Sequence, residues 1–409
     1  AVDEIREACD EVEHFVALEG ERDQWLDYEA LISAAESTFS AESVDERDVL
    51  TINYTSGTTS RPKGVMITHR NAYMNVVGTL VHWPMTCADR YLWTLPMFHA
   101  NGWTFVWIVT AVGGTHVCLR TVDPILAFRL MREESITHMC SAPTVLIMLA
   151  SAPPTARGEV RRGVKVMTAG APPAAATIQR VEGDFGWNLL HVYGLTETAP
   201  FITVCEPRPH HAECTPDEQA VIKARQGVEL ITSGELRVVD EDGQEVPRDA
   251  STLGEIVVRG NVVMAGYYDD DEATAVAMRD GWFHSGDAAV VHADGYIEIR
   301  DRFKDVIISG GENISSVEVE GVMMRHPAVL EIAVVGVPDE RWGETPHGFV
   351  VLNQGASVTA DELVTFARDN MAHFKVPRKI AFVDQLPKTA TGKIQKYVLR
   401  QGRSSIAKQ

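Results

Sequence analysis

Apolar and polar positions alternate in short blocks over the first half of the chain. β-Favouring runs fall at 49–54, 91–95, 115–119, 138–140, 164–168 and 189–192, and helix-period stretches such as 123–134 and 143–150 lie between several of them. Strands alternating with helices in this way predict parallel β-α-β units, with helices covering the sheet. The pattern changes over 235–268. There Glu-Leu-Arg-Val-Val-Asp, a Glu241-Asp-Gly turn and Gly-Glu-Ile-Val-Val-Arg-Gly read as antiparallel strands joined by turns, a β-rich subdomain within about 230–300. Beyond Arg302 the pattern predicts a compact α+β unit with helices at 316–324 and 361–370 and strands at 329–337 and 348–352. The expected fold is multi-domain α/β: a large N-terminal domain over 1–303 and a small α+β C-terminal domain over 304–409, joined near Lys304. No internal repeat is present.

Composition narrows the function classes. A length of 409 residues, with 45% apolar and 23% charged, fits two or three globular domains with a large core. The formal net charge of −20 argues against a nucleic-acid binder and against a basic membrane-surface protein, because both need clustered Lys and Arg. It leaves room for ATP and CoA, provided that backbone amides, Mg2+ and a few local cations offset the overall field. The six cysteines carry no C-x-x-C pair and no zinc spacing, which points to a reducing, cytoplasmic setting. No run reaches the roughly 20 apolar residues that span a bilayer, and Ala-Val-Asp-Glu-Ile-Arg at the start does not read as a signal peptide.

The strongest local feature is Thr55-Ser56-Gly57-Thr58-Thr59-Ser60-Arg61-Pro62-Lys63-Gly64, which follows a strand. Its glycines permit unusual backbone angles, consecutive amides can form an anion nest, and the hydroxyls add donors. Lys63 supplies a point charge. The order is not that of a Walker A loop. Taken alone, the segment is either an anion-binding loop or a Ser/Thr-rich surface turn.

Four further motifs, in the order of one known family, decide between these readings. They are Val192-Tyr193-Gly194-Leu195-Thr196-Glu197-Thr198; His284-Ser-Gly-Asp287 with Arg300-Asp-Arg302-Phe-Lys304; Ile308-Ser-Gly310-Gly311-Glu312-Asn; and Pro387-Lys-Thr-Ala-Thr-Gly-Lys393-Ile. Together they resemble the adenylate-forming superfamily of acyl-CoA synthetases, luciferases and peptide-synthetase adenylation domains. Within it the chain is similar to bacterial fatty acyl-CoA synthetases and to plant acyl-activating enzymes of the benzoate/cinnamate type. The resemblance covers roughly residues 11–396.

The resemblance implies a role for each motif. Thr55, Ser56, Gly57, Thr58, Thr59 and Lys63 would hold ATP phosphates. Gly170, Ala171 and Pro172 would pass beside adenine, together with His191, Val192, Tyr193 and Gly194, the tyrosine stacking on the base. Thr196 would bond the α-phosphate, and Glu197, with Thr58, would hold Mg2+. Asp287 and Arg302 would clamp the ribose, and Lys304 would be the hinge of a mobile C-terminal domain. Gly310, Gly311 and Glu312 would line the pantetheine tunnel for CoA. Lys393 would neutralise charge as the carboxylate attacks the α-phosphorus. The segment Leu95-Pro-Met-Phe-His99-Ala100-Asn101-Gly102-Trp103 resembles the part that borders the acid, so His99, Ala100, Asn101, Gly102 and Trp103, with Gly170 and Gly194, are the acyl-pocket candidates.

The implied reaction is ATP-dependent acid–CoA ligation through an acyl-adenylate, on a fatty or aryl carboxylic acid, with domain rotation between the two half-reactions. Two departures accompany it. Ser60 stands where the family usually has Gly, and the phosphate loop begins only about fifty residues from Ala1, so the chain is expected to be N-terminally truncated. A carrier-protein phosphopantetheine as acceptor, a nucleotide-binding fragment without full activity, a complementing N-terminal segment and a homodimer are the alternatives this leaves open.

Overall fold

The computed structural model describes residues 2–9, 11–40, 43–55, 62–389 and 394–401. Two compact units result, Ala1–Asp45 and Glu46–Gln409. In the first, the two-residue strands Val16–Ala17 and Leu26–Asp27 pair in parallel. Asp27 then caps the helix Tyr28–Ala34, its carboxylate accepting from the Ala30 N–H at 2.7 Å.

The second unit is built on a seven-stranded sheet in the order Val228–Glu229, Phe201–Val204, Asn188–Gly194, Lys165–Thr168, His138–Cys140, Arg90–Trp93 and Thr115–Cys118. The last five of these run parallel to one another, and the first two are antiparallel additions. Both faces are buried, and the pleat divides the side chains between them. Met139, Val166 and Leu189 join the helices Pro124–Glu133, Pro143–Ser151 and Ala175–Gly183 in one core. Cys140, Met167 and Leu190 enter another core with Trp103, Phe105 and Ile108. Burial pushes the Cys140 thiol far above its ordinary range and the Cys205 thiol up to about 12, so both behave as small apolar groups.

Expectation and structure differ at two places. The run at 49–54 is not part of a parallel unit. Val49–Thr55 pairs antiparallel with Lys63–Thr68, because the few residues between them cannot make the crossover that parallel pairing requires. The strand Gly266–Tyr267 lies outside the β-rich subdomain and pairs with Lys63–Thr68, completing a three-stranded sheet. The subdomain itself is the antiparallel sheet of Glu235–Val239, Gly254–Arg259, Phe283–Val291 and Ile297–Arg302.

Towards the C-terminus, Val329–Asp339 and Gly343–Leu352 form a long antiparallel pair, with Lys379–Phe382 added in parallel. The helices Ser316–Met323 and Ala360–Asn370 bury Val319, Met323, Leu363 and Ala367 against one face. Thr359 and Glu362 begin the second helix with a reciprocal capping box. Among the described residues no helix is long and apolar enough to cross a membrane.

Candidate active site

The nucleotide candidates gather where parallel strands of the large sheet end, the usual place for ligands in open α/β sheets. Lys165–Thr168 leads into Gly170, which adopts φ +88°, and Ala171; both are exposed, and Pro172 is half-buried. Asn188–Gly194 leads through Leu195 into a single 3-10 turn, Thr196–Thr198. A Cβ on Gly194 would fall 1.8 Å from the Pro200 carbonyl oxygen, where the chain folds back on itself. Gly194→Ala is therefore expected to force the backbone apart and cost about 3 kcal/mol in chemical denaturation. Gly183→Ala, at an open position in a helix, should be near neutral. Equal stability of the two variants would refute this reading of Gly194.

His191 and Val192 face inward. Val192 belongs to a core cluster, and the buried His191 ring donates from Nδ1 to the Arg225 carbonyl at 2.7 Å. Burial holds this imidazole down to about 4. The unfolded chain takes up that proton near pH 6.5 and the folded chain does not. Stability from the neutral ring is thus complete above about pH 6.5 and is lost as pH falls towards 4. Between pH 7 and pH 5 the loss should be about 2 kcal/mol. His191→Gln should flatten the fall seen in urea denaturation, and an identical pH profile would contradict the assignment.

Tyr193, Asp287 and Arg302 come together from two sheets. Asp287 and Arg302 face each other across the Phe283–Val291 and Ile297–Arg302 strands. Tyr193 Oη donates to Asp287 Oδ2 at 2.6 Å, and Arg302 Nε lies 3.2 Å from Asp287 Oδ1. Asp287 is 4% exposed. Burial, followed by the Asp287 charge, raises the Tyr193 phenol well above its ordinary value, so it remains a donor. Although burial opposes the Arg302 charge, the nearby Asp287 holds that guanidinium firmly ionised.

A second group lies beside the segment 56–61, which the sequence offers for phosphate. The Thr55 and Lys63 backbones pair on either side of it. Ser56, Gly57, Thr58 and Thr59 lie outside the described residues, as does Lys393. Lys63 Nζ sits 4.6 Å above the ring of Tyr267, whose Oη donates to Glu197 Oε1 at 2.9 Å. The half-buried Glu197 makes no ion pair among the described residues, so its carboxylate offers the kind of hard oxygen donor that Mg2+ takes. The cluster of His210, His211 and Asp294 is unsuited to a metal. His211 Nδ1 accepts the Arg208 N–H at 3.1 Å, so in the neutral ring Nε2 carries the proton, and Arg225 already lies 3.5 Å from Asp294.

In the acyl-pocket segment, Ala100, Asn101, Gly102, Trp103 and Thr104 all have positive φ, between 38° and 68°. Left-handed backbone over consecutive non-glycine residues is strained, and such strain concentrates at functional sites. Side chains hold the turn in place. Asn53 Nδ2 donates to Asn101 Oδ1 at 2.7 Å, and Trp103 packs edge-on to Phe201 with ring centroids 6.2 Å apart. Gly102 lies against Trp93, where a Cβ would come within 2.5 Å of the indole. Trp103 also approaches Gly170, 3.8 Å from where a Cβ would be. His99 is half-buried at the start of this turn.

Gly310 and Gly311 form a two-residue hairpin between Ile307–Ser309 and Glu312–Ile314, both with positive φ as a type I′ turn demands. A Cβ on Gly310 would meet Trp342 at 2.8 Å. Glu312 is exposed beside the turn. Lys304 is exposed in the tight turn after Arg302, where the Asp305 and Val306 amides return to the Arg302 carbonyl.

Sequence reasoning missed Tyr267. It is 70 residues from Glu197 and belongs to no motif, and only the strand pairing brings the two together.

The chain is similar to known proteins over most of its length. Residues 1–268 match the AMP-binding enzyme family, and residues 318–393 match the AMP-binding enzyme C-terminal domain. The protein named "Probable CoA ligase CCL11" of Humulus lupulus is 47% identical over 95% of this chain and 68% of its own length. The peroxisomal trans-cinnamate:CoA ligase of Petunia hybrida is 42% identical over 93% of this chain and 67% of its own. The chain therefore spans about two thirds of the length of these relatives. Among solved structures, the ATP-bound MatB of Rhodopseudomonas palustris superposes with a TM-score of 0.79 at 30% identity, over 92% of this chain and 73% of that one. The anthranilate CoA ligase AuaEII, in complex with anthranoyl-AMP, gives 0.83 at 25% identity, over 98% and 75%. By sequence and by fold, the chain belongs to the AMP-binding enzymes, the adenylate-forming superfamily, in its acyl-CoA synthetase branch.

Proposed function

We propose that the chain carries out ATP-dependent acid–CoA ligation through an acyl-adenylate, on a fatty or aryl carboxylic acid. The observation that carries this reading is the convergence of Tyr193, Asp287 and Arg302 at the ends of the parallel strands, with Glu197 and Lys63 joined through Tyr267 nearby. The relatives include a 2-methylpropanoate–CoA ligase and a trans-cinnamate:CoA ligase, which supports a monocarboxylic acid as substrate.

Each residue then has a task. Asp287 accepts from the ribose hydroxyls, with Arg302 beside it. Tyr193 presents its ring to adenine beside Gly170, Ala171 and Pro172, and the close turn at Gly194 leaves space next to the base. Thr196 donates to the α-phosphate, while Lys63 and the loop from Thr55 to Thr59 hold the β- and γ-phosphates. Glu197 and Thr58 would hold Mg2+, which would supply charge neutralisation on the phosphates. The substrate carboxylate forms a new bond to the α-phosphorus as the bond to pyrophosphate breaks, and Lys393 stabilises the charge that develops. In the second half-reaction the CoA thiolate bonds to the acyl carbon and AMP departs. Lys304 is the hinge for this exchange, and the exposed turn at Gly310 and Gly311 is the element that approaches pantetheine.

The test is a panel of short-chain, medium-chain and aryl carboxylates assayed for pyrophosphate release, with free CoA and then a holo carrier protein as acceptor. Acid-dependent release with acyl-CoA as product is expected. Thioester formed only on the carrier protein would overturn the CoA assignment, and AMP binding without acid-dependent release would overturn ligation by this chain.

A further inference from the structure

The Gly266–Tyr267 strand is two residues long, yet its tyrosine touches two functional elements at once. Pairing of Tyr267 with Val65 sets the ring beside the returning arm of the phosphate loop. The Lys63 ammonium rests over the ring at 4.6 Å, a cation–π contact. At the other end of the side chain the phenol donates to Glu197 Oε1 at 2.9 Å. The backbone repeats the connection, since the Met264 N–H donates to the Glu197 carbonyl at 2.8 Å.

A buried tyrosine needs an acceptor for its hydroxyl, and any neutral carbonyl would serve for packing alone. Here the acceptor is a carboxylate on the single turn that leaves the Asn188–Gly194 strand. A carboxylate whose first oxygen is fixed by a donor has its second oxygen directed as well, which is how outer partners set the orientation of metal ligands.

We propose that Tyr267 is a positioning residue for the phosphate end of the nucleotide site: its hydroxyl fixes one Glu197 oxygen and leaves the other for a divalent cation, while its ring seats the Lys63 ammonium. This rests on the adenylation reading above, in which Glu197 is the cation-binding carboxylate.

The experiment measures binding rather than turnover. Affinity for α,β-methylene-ATP is determined by calorimetry with Mn2+ and with EDTA, for the native chain, Y267F, E197Q and the double variant. AMP affinity in EDTA is the control for an intact nucleotide site. In Y267F the cation-dependent gain in affinity should fall about tenfold, with AMP affinity within about twofold of native, the scale on which a remote structural change would leave it. E197Q should abolish the gain, and adding Y267F to it should change nothing further. A native-size gain in Y267F alone overturns the proposal and leaves the adenylation reading standing. A native-size gain in E197Q shows that Glu197 is not the cation carboxylate, and both fall. Loss of AMP binding in Y267F would assign the tyrosine a structural role instead.

Discussion

Replacing Lys393 by alanine is expected to lower acyl-adenylate formation by a hundredfold to a thousandfold, the usual order for removing a group that stabilises transition-state charge. Thioester formation from synthetic acyl-AMP should change by less than about threefold, because no P–O bond is formed or broken in that half-reaction. The separation of the two effects matters more than their size. Lys393 lies outside the described residues; beside it, Lys388 bridges to Ile394 and makes an ion pair with Glu331 at 2.6 Å. A fall in both half-reactions together would mean a general loss of structure. Undiminished acid-dependent pyrophosphate exchange would remove Lys393 from the chemistry altogether.

The second large effect concerns Asp287. Asp287→Ala removes the proposed ribose acceptor together with the partner of the Tyr193 hydroxyl and the counter-charge of Arg302. Asp287 is buried and is the largest of the charges that hold the guanidinium ionised, so its loss costs about 3 kcal/mol of stability. AMP affinity should fall by about a hundredfold, the value of two charge-assisted hydrogen bonds lost together. Asp287→Asn keeps the shape and one acceptor, and should lie between the two. Calorimetric titration with AMP checks the order; affinity in Asp287→Ala within twofold of native would take the ribose clamp away from this residue.

Much of the fold could be read in advance from period alone. The short apolar runs at 138–140, 164–168 and 189–192 correspond to the strands His138–Cys140, Lys165–Thr168 and Asn188–Gly194, and the helix read at 361–370 is Ala360–Asn370. Such elements are legible because a strand buried on both faces must be continuously apolar and a surface helix must repeat near every fourth residue. The hairpin at Val49–Thr55 and Lys63–Thr68 was harder. The Gly/Thr-rich segment between its arms draws attention as a phosphate loop, and the β-favouring arm after it is then easily overlooked.

The site was legible only where a residue carries its role in its own motif. Asp287 and Arg302 stand in separate motifs, and register alone places them opposite each other. Tyr267 stands in none, because its importance comes from a long-range pairing that a local pattern does not encode. The left-handed run from Ala100 to Thr104 was also unmarked. Apart from Asn101-Gly102, its residue types give no sign of positive φ, and the surrounding contacts with Asn53, Trp93 and Phe201 impose it.

Under the proposed function, this chain splits ATP between the α- and β-phosphates in response to a carboxylic acid. Phosphorus NMR of the purified chain with ATP, Mg2+ and an acid from the panel follows that split directly. AMP and pyrophosphate are expected to appear together only when acid is present, with AMP release accelerated by CoA. Formation of ADP and orthophosphate, or release of pyrophosphate that is indifferent to the acid, would contradict it.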